Sequence, residues 1–156
     1  MTNKEKLINL EKEDKYVFHG SPDRDIELFE LRQGKHKGEP DGRPAVSTTL
    51  YVEFAIFRAI INRKNISQHS SSFGITPKGE KEFIVSSKEI LEQAKDKKGY
   101  VYIFNKKDFE PYDRNHKPKE SNMEWRSYLP VKALDILEVT FADLPNIDRI
   151  KIEKIS

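Results

Sequence analysis

An α+β fold follows from three features of the chain. Short β-prone runs recur at irregular spacing, apolar helical stretches are interspersed among them, and neither a βαβ alternation nor an internal repeat is visible. The 156 residues suit a single domain, 1–156, with residues 1–14 as an N-terminal arm. Nine Phe, six Tyr and one Trp can fill a core although 35% of the residues are charged.

Taken in order, Thr2 to Asp14 sets Leu7, Ile8 and Leu10 among charges, the pattern of a short helix or packed arm. Lys15-Tyr16-Val17-Phe18-His19 is β-prone and should stop at Gly20-Ser21-Pro22, delivering His19 to a loop. Residues 32–44 hold three Gly and two Pro and predict a long, mobile surface loop. Ala45-Val46-Ser47 reads as a short strand, after which Thr48 or Thr49 is placed to cap a helix running to about Asn65. Phe54, Ile56, Phe57, Ile60 and Ile61 leave that helix few polar positions, so it should be buried on more than one side.

Phe73-Gly74-Ile75 and Glu82-Phe83-Ile84-Val85 flank a Pro-Lys-Gly turn and predict a hairpin. Ser86 and Glu89 have capping-box spacing for a helix carrying Ile90, Leu91 and Ala94, which Gly99 would end. Tyr100 to Phe104 is apolar throughout and predicts a central strand, followed by a charged, Pro-containing stretch over 105–122. Met123 to Leu129 and Leu137 to Phe141 predict two more strands, and Ile147 to Ile155 an edge strand.

Composition removes several classes of function. A balance of 28 Lys and Arg against 26 Asp and Glu leaves a formal charge of +2, too even for a whole-molecule field that draws nucleic acid or an anionic membrane. The absence of Cys excludes thiolate catalysis, disulfides and cysteine zinc sites. No apolar run approaches the ~20 residues of a membrane span, and the N-terminus lacks a hydrophobic signal segment, so the chain is read as cytoplasmic, without a membrane partner. His36, His69 and His116 lie in polar stretches without the spacing of a metal pair, and no metal is expected. The GxxxxGK[ST], GxGxxG and GxSxG motifs are absent. Lys35, Lys37, Lys95, Lys97 and Lys98 read as solvated basic surface.

Three places join reactive groups to stiff support: His19-Gly20-Ser21 at a strand end, Ser47-Thr48-Thr49 at a strand-to-helix junction, and Glu124 in a late strand. Period-two alternation sets Met123, Trp125, Ser127 and Leu129 on one face and Glu124, Arg126 and Tyr128 on the other. With the Trp face in the core, Glu124 turns outward or into a cleft. Glycine after His19 permits a ligand to approach the backbone closely, where an amide and a carbonyl can recognise a carboxamide. Each place alone has a plainer reading, as a turn histidine, a helix cap and the solvated side of a strand.

Together and in this order, YVFHGSP, AVSTTLYVEFAIFRAI and MEWRSYLPVKALDILEV resemble the ADP-ribosyltransferase superfamily over roughly residues 15–141. The resemblance implies a split β-sheet core with short helices packed on it, and NAD as the substrate that donates ADP-ribose. It implies Glu124 as the catalytic carboxylate, His19 on a ribose hydroxyl, the Gly20 backbone at the nicotinamide amide, Ser47 supporting that amide or Glu124, and Ser21 and Thr48 among the other residues that bind NAD. The histidine-bearing branch has a Tyr where this chain has Val46 or Ser47, so stacking on nicotinamide falls to Tyr51, Phe54 or Phe57. The arginine-initiated branch often carries Glu or Gln two residues before the catalytic Glu, where this chain has Asn122. The resemblance leaves the acceptor open, protein or nucleic acid. It also admits a non-catalytic binding module of the same fold, or an RNA 2′-phosphotransferase using NAD, for which Arg43, Arg58 and Arg126 are the candidate phosphate ligands.

Overall fold

The computed structural model describes residues 1–36, 38–67, 70–112 and 123–154. Lys37, His69, His116, Asn122 and Ile155 lie outside the described residues, as does the rest of 113–122.

Helix α1 (Asn3–Lys12) starts with a reciprocal cap: the Thr2 hydroxyl accepts from the Glu5 amide, and the Glu5 carboxylate accepts from the Thr2 amide. Its Leu7 is fully buried, so the expected arm is packed onto the body of the protein. Strand β1 (Tyr16–Ser21) runs through Gly20 and Ser21 instead of stopping at them, because a partner strand continues the ladder to Ser21. The 32–44 segment is more ordered than a bare loop. An Arg32↔Ala45 bridge closes its base, and a two-residue ribbon, β2 (Lys35–His36) with β3 (Glu39–Pro40), stands within it.

After β4 (Val46–Thr49) comes α2 (Val52–Ile60), and here the local capping expectation fails. Tyr51 occupies the N-cap without a side-chain bond, and Thr49 Oγ1 accepts from the Tyr51 amide, one residue before the helix. The Val52 amide is instead taken by Glu11 of α1 at 2.7 Å, a tertiary contact that no local pattern displays. The far end also comes early. Asn62 donates to the carbonyls of Arg58 and Ala59 and accepts from the amides of Lys64 and Asn65, turning the chain before the expected end at Asn65. The predicted burial of Phe54, Ile56, Phe57, Ile60 and Ile61 is complete, each at 0% exposure.

The predicted hairpin forms as β5 (Ser71–Ile75) and β6 (Lys81–Val85). Helix α3 (Lys88–Ala94) begins after Ser87 with no side-chain cap, so the Ser86–Glu89 box is not made. Gly99 does not end that helix but sits inside β7 (Lys98–Asn105). The chain continues through β8 (Glu110–Pro111), β9 (Glu124–Ser127), β10 (Asp135–Thr140) and β11 (Ile150–Ile152). The last element, expected from Ile147, opens with a single 3₁₀ turn before β11 pairs parallel with β6.

The main sheet has the order β10-β7-β1-β4-β9-β8 with every neighbour antiparallel, and a second sheet runs β11-β6-β5. This is an α+β arrangement, and β7 is flanked on both sides, as its apolar sequence requires. Helix α2 crosses β1 and β7 at very close range. A Cβ on Gly20 would stand 1.9 Å from the Ala55 carbonyl oxygen, and one on Gly99 would stand 2.0 Å from that of Ala59. One apolar cluster fills the α2 side, with Phe54, Phe57 and Phe83 at its centre. Another covers the opposite face, with Val17, Phe29, Tyr102 and Phe104. Among the described residues no helix is long and apolar enough to cross a membrane.

Candidate functional site

Strands β1 and β4 pair at one position, Phe18↔Thr49. Where they separate beyond it, a cleft of about 560 Å³ opens, with His19, Gly20 and Ser47 on the strands, Phe29 on one wall and Arg58 and Asn62 on the other. The two strand ends are tied across the opening by a side chain. His19 Nδ1 donates to the Ser47 carbonyl at 2.9 Å. That bond assigns the proton to Nδ1 and leaves the Nε2 lone pair of the neutral ring as an acceptor. Burial pushes the His19 pKa below the ordinary value; the Ser47 carbonyl works against this, and the Arg32 charge adds to the lowering. The ring edge is braced on Phe29, centroid to centroid 5.0 Å, and Phe29 in turn meets Tyr102 and Phe104 edge-on.

The pleat of β9 delivers the carboxylate. Trp125 packs with the second apolar cluster, which turns Glu124 and Arg126 to the other face, and the ladder sets Thr49 beside Glu124 and Ser47 beside Arg126. Leu129 departs from the alternation and is 74% exposed, because β9 ends at Ser127, whose hydroxyl bonds the Leu129 backbone in a turn. Glu124 Oε2 accepts from Ser47 Oγ at 2.7 Å and from Arg126 Nε at 2.6 Å. Among the described residues nothing donates to Oε1.

Arg126 is gripped on its other edge by a residue from the 32–44 segment. Its Nη1 donates to the Asp41 carbonyl at 2.7 Å and its Nη2 to Asp41 Oδ2 at 3.2 Å. The guanidinium lies 3.5 Å over the Tyr112 ring, whose hydroxyl donates to Asp41 Oδ1 at 2.8 Å. Burial works against the Arg126 charge, but Glu124 and Asp41 outweigh it and hold the pKa above the ordinary arginine range. Burial, with the bond to Asp41, raises that of Tyr112.

Of the residues singled out in the sequence, His19, Gly20, Ser21 and Ser47 line one cleft; Glu124 is not part of that lining and lies behind Ser47, bonded to its hydroxyl. Ser21 is buried and its hydroxyl accepts from the Asp23 amide, shaping the turn out of β1. Thr48 pleats to the far face, where its hydroxyl donates to the Trp125 carbonyl. The aromatic candidates are corrected. Phe54 and Phe57 are fully buried against Phe73 and Phe83, and Tyr51 sits at the start of α2 against Phe54 under the Lys81 ammonium. None of the three lines the cleft, because the helix that carries them turns those positions into the core.

The ring that does reach the cleft is Phe29, within Ile26-Glu27-Leu28-Phe29-Glu30-Leu31, whose alternation of acidic and apolar residues was the available signal. Asp41 and Tyr112 had no local signal, since each acquires its role only on meeting Arg126. Arg43 stacks over Tyr128 at 3.8 Å outside the cleft, whereas Arg58 and Arg126 line it. Among the described residues no three His, Asp or Glu side chains gather as a metal ion would require.

Such an arrangement offers an imidazole acceptor and a strand backbone at a glycine beside an apolar wall, with a carboxylate that has one oxygen pinned and, among the described residues, one without a donor held behind Ser47. Comparison with protein-family models, with curated proteins and with solved structures found no match to this chain.

Proposed function

We propose that the chain is an NAD-dependent ADP-ribosyltransferase, which breaks the bond between nicotinamide and ribose and transfers ADP-ribose to a protein or nucleic-acid acceptor. One observation carries the reading: Ser47 bonds the His19 ring through its carbonyl and Glu124 through its hydroxyl, so one cleft residue links groups over a hundred residues apart. The strand order supports it, with the Glu strand β9 beside the Ser-Thr-Thr strand β4, and β4 beside the His strand β1, to which it pairs at a single position.

In this reading the nicotinamide amide lies along the Gly20 backbone, with its ring against Phe29. A ribose hydroxyl donates to His19 Nε2, and another donates to Glu124 Oε1. As the C–N bond breaks, its electron pair leaves with nicotinamide and positive charge develops on the ribose. The Glu124 carboxylate stabilises that charge more than it does the ground state. The acceptor's nucleophilic atom then bonds to the ribose carbon and gives up its proton, to Glu124 or to water. Ser47 and Arg126 hold Oε2 so that Oε1 keeps its aim.

Nicotinamide release from labelled NAD tests the proposal. Glu124→Gln should lower turnover by at least ~10²-fold with the unfolding midpoint retained; equal turnover by the variant rejects Glu124. A calorimetric titration of the wild type showing no NAD binding would favour the non-catalytic module. The unpaired arginines that line the cleft, Arg32 and Arg58, favour the RNA 2′-phosphotransferase as second reading, and loss of phosphate from a 2′-phosphorylated RNA in the presence of NAD would establish it.

A further inference from the structure

Arg58 lines the cleft from α2, and among the described residues no carboxylate pairs with it. Its Nη1 donates to two neutral groups, the Ile61 carbonyl at 3.1 Å and Ser71 Oγ at 2.9 Å. The rings of Phe57 and Phe73 lie 5.7 and 5.2 Å from its guanidinium carbon. Nε and Nη2 have no acceptor among the described residues, and neither is sealed from solvent. Burial alone acts on this group, lowering its pKa, with no neighbouring anion to offset it. A guanidinium partly withdrawn from water without a counter-charge has lost solvation and gained little in return.

Other cations of the cleft are provided for. Lys64 pairs with Asp23, and Arg126 with Asp41 and Glu124. Arg32 is the exception: it lines the same cleft without an ion pair among the described residues, and its charge is felt at His19. Against these two stands Glu30, exposed at the rim. The unpaired charges lining the cleft therefore sum to positive, and the Nε–Nη2 edge of Arg58 offers two parallel donors matched to two oxygens of one anion. A net positive cleft with a fork of two donors suits a doubly charged phosphate oxyanion better than a single carboxylate.

We propose that Arg58 is the centre of an anion subsite at the α2 end of the cleft, and that the group it takes is a phosphate, as an ester or within a diphosphate, with Arg32 adding charge. The subsite follows from the cleft's charges and does not depend on turnover of NAD.

Inorganic pyrophosphate, with acetate as the singly charged control, is the probe, and the full chain is the sample. In the wild type, pyrophosphate should move the Arg58 Nε–Hε NMR resonance, and acetate at the same concentration should leave it in place. Arg58→Gln should weaken pyrophosphate binding at least ~10-fold, whereas Arg43→Gln, which removes an arginine outside the cleft, should not change it. An Arg58 resonance unmoved at saturating pyrophosphate overturns the subsite, and so does unchanged affinity in a folded Arg58→Gln; if that variant does not fold, the wild-type resonance decides. Pyrophosphate bound at Arg58 in a protein that releases no nicotinamide from NAD upholds the subsite and rejects the proposed function.

Discussion

Arg126 Nε lies 2.6 Å from Oε2 of Glu124, two residues back along the same strand, and its far edge is clamped by the backbone and side chain of Asp41. One guanidinium therefore couples the catalytic candidate to the 32–44 segment. Both clamping side chains, Arg126 and Asp41, are only 5% exposed, so the interaction is little screened.

Removing Asp41 takes one of two carboxylates from the buried Arg126 and leaves Glu124 to balance it alone among the described residues. Asp41→Ala should destabilise the protein by about 1.5–3 kcal/mol, the range for lost hydrogen bonds to a charged group, read as a lower urea midpoint. Asp41→Asn keeps an acceptor and should cost less, yet it should still lower nicotinamide release by loosening Glu124. Unchanged stability in Asp41→Ala would mean that the guanidinium finds other partners.

Gly20 separates a packing role from a binding role. A methyl there would meet the Ala55 carbonyl at 1.9 Å, and one at Gly99, which does not line the cleft, would meet that of Ala59 at 2.0 Å. Both Gly→Ala variants must lift α2 off the sheet, and each should lose at least about 1–3 kcal/mol, the usual penalty of overpacking. NAD binding should be lost in Gly20→Ala beyond any change in Gly99→Ala. Equal effects in both would assign Gly20 to packing alone.

What the sequence made legible follows from where the information lies. The alternation within Glu124–Ser127 set Glu124 and Arg126 on the face opposite Trp125, although Met123, expected beside Trp125, packs with the first cluster, and the apolar run Tyr100–Phe104 became an interior strand, because burial is written into periodicity. The cap of α2 was not legible, since Glu11 reaches the Val52 amide from another helix. Nor was the buried Asp41, which stands in a Gly- and Pro-rich stretch that reads as solvated until Arg126 and Tyr112 close on it. Phe57 had the right spacing for a stacking ring but the wrong face, and spacing alone does not say which way a helix is turned.

That correction has its own consequence. Phe57→Ala should cost about 3–5 kcal/mol, as for a large buried ring, with NAD affinity of the remaining folded protein unchanged. Phe29 braces His19 edge-on and lines the cleft, so Phe29→Leu should weaken NAD binding with a smaller loss of stability. Calorimetry on the two variants checks this, and the reverse order of effects would restore Phe57 as the stacking ring.

The ring of His19 also sets a pH dependence. Burial keeps its pKa below the ordinary value of 6.5, so near that pH the unfolded chain binds a proton that the native chain refuses. The stability it contributes is then fully present above about pH 6.5 and is lost as the pH falls through the lowered, folded-state pKa. Urea unfolding between about pH 7.5 and about pH 5.5 should show wild-type stability falling, and His19→Asn, which has no titrating ring but retains an N–H for the Ser47 carbonyl, should flatten that fall. Protonation would also consume the Nε2 lone pair that the ribose hydroxyl needs, so nicotinamide release should decline in the same direction, but only as the pH reaches the lowered pKa of the folded ring. An identical slope in His19→Asn would place the acid sensitivity on another group and leave the neutral ring without support.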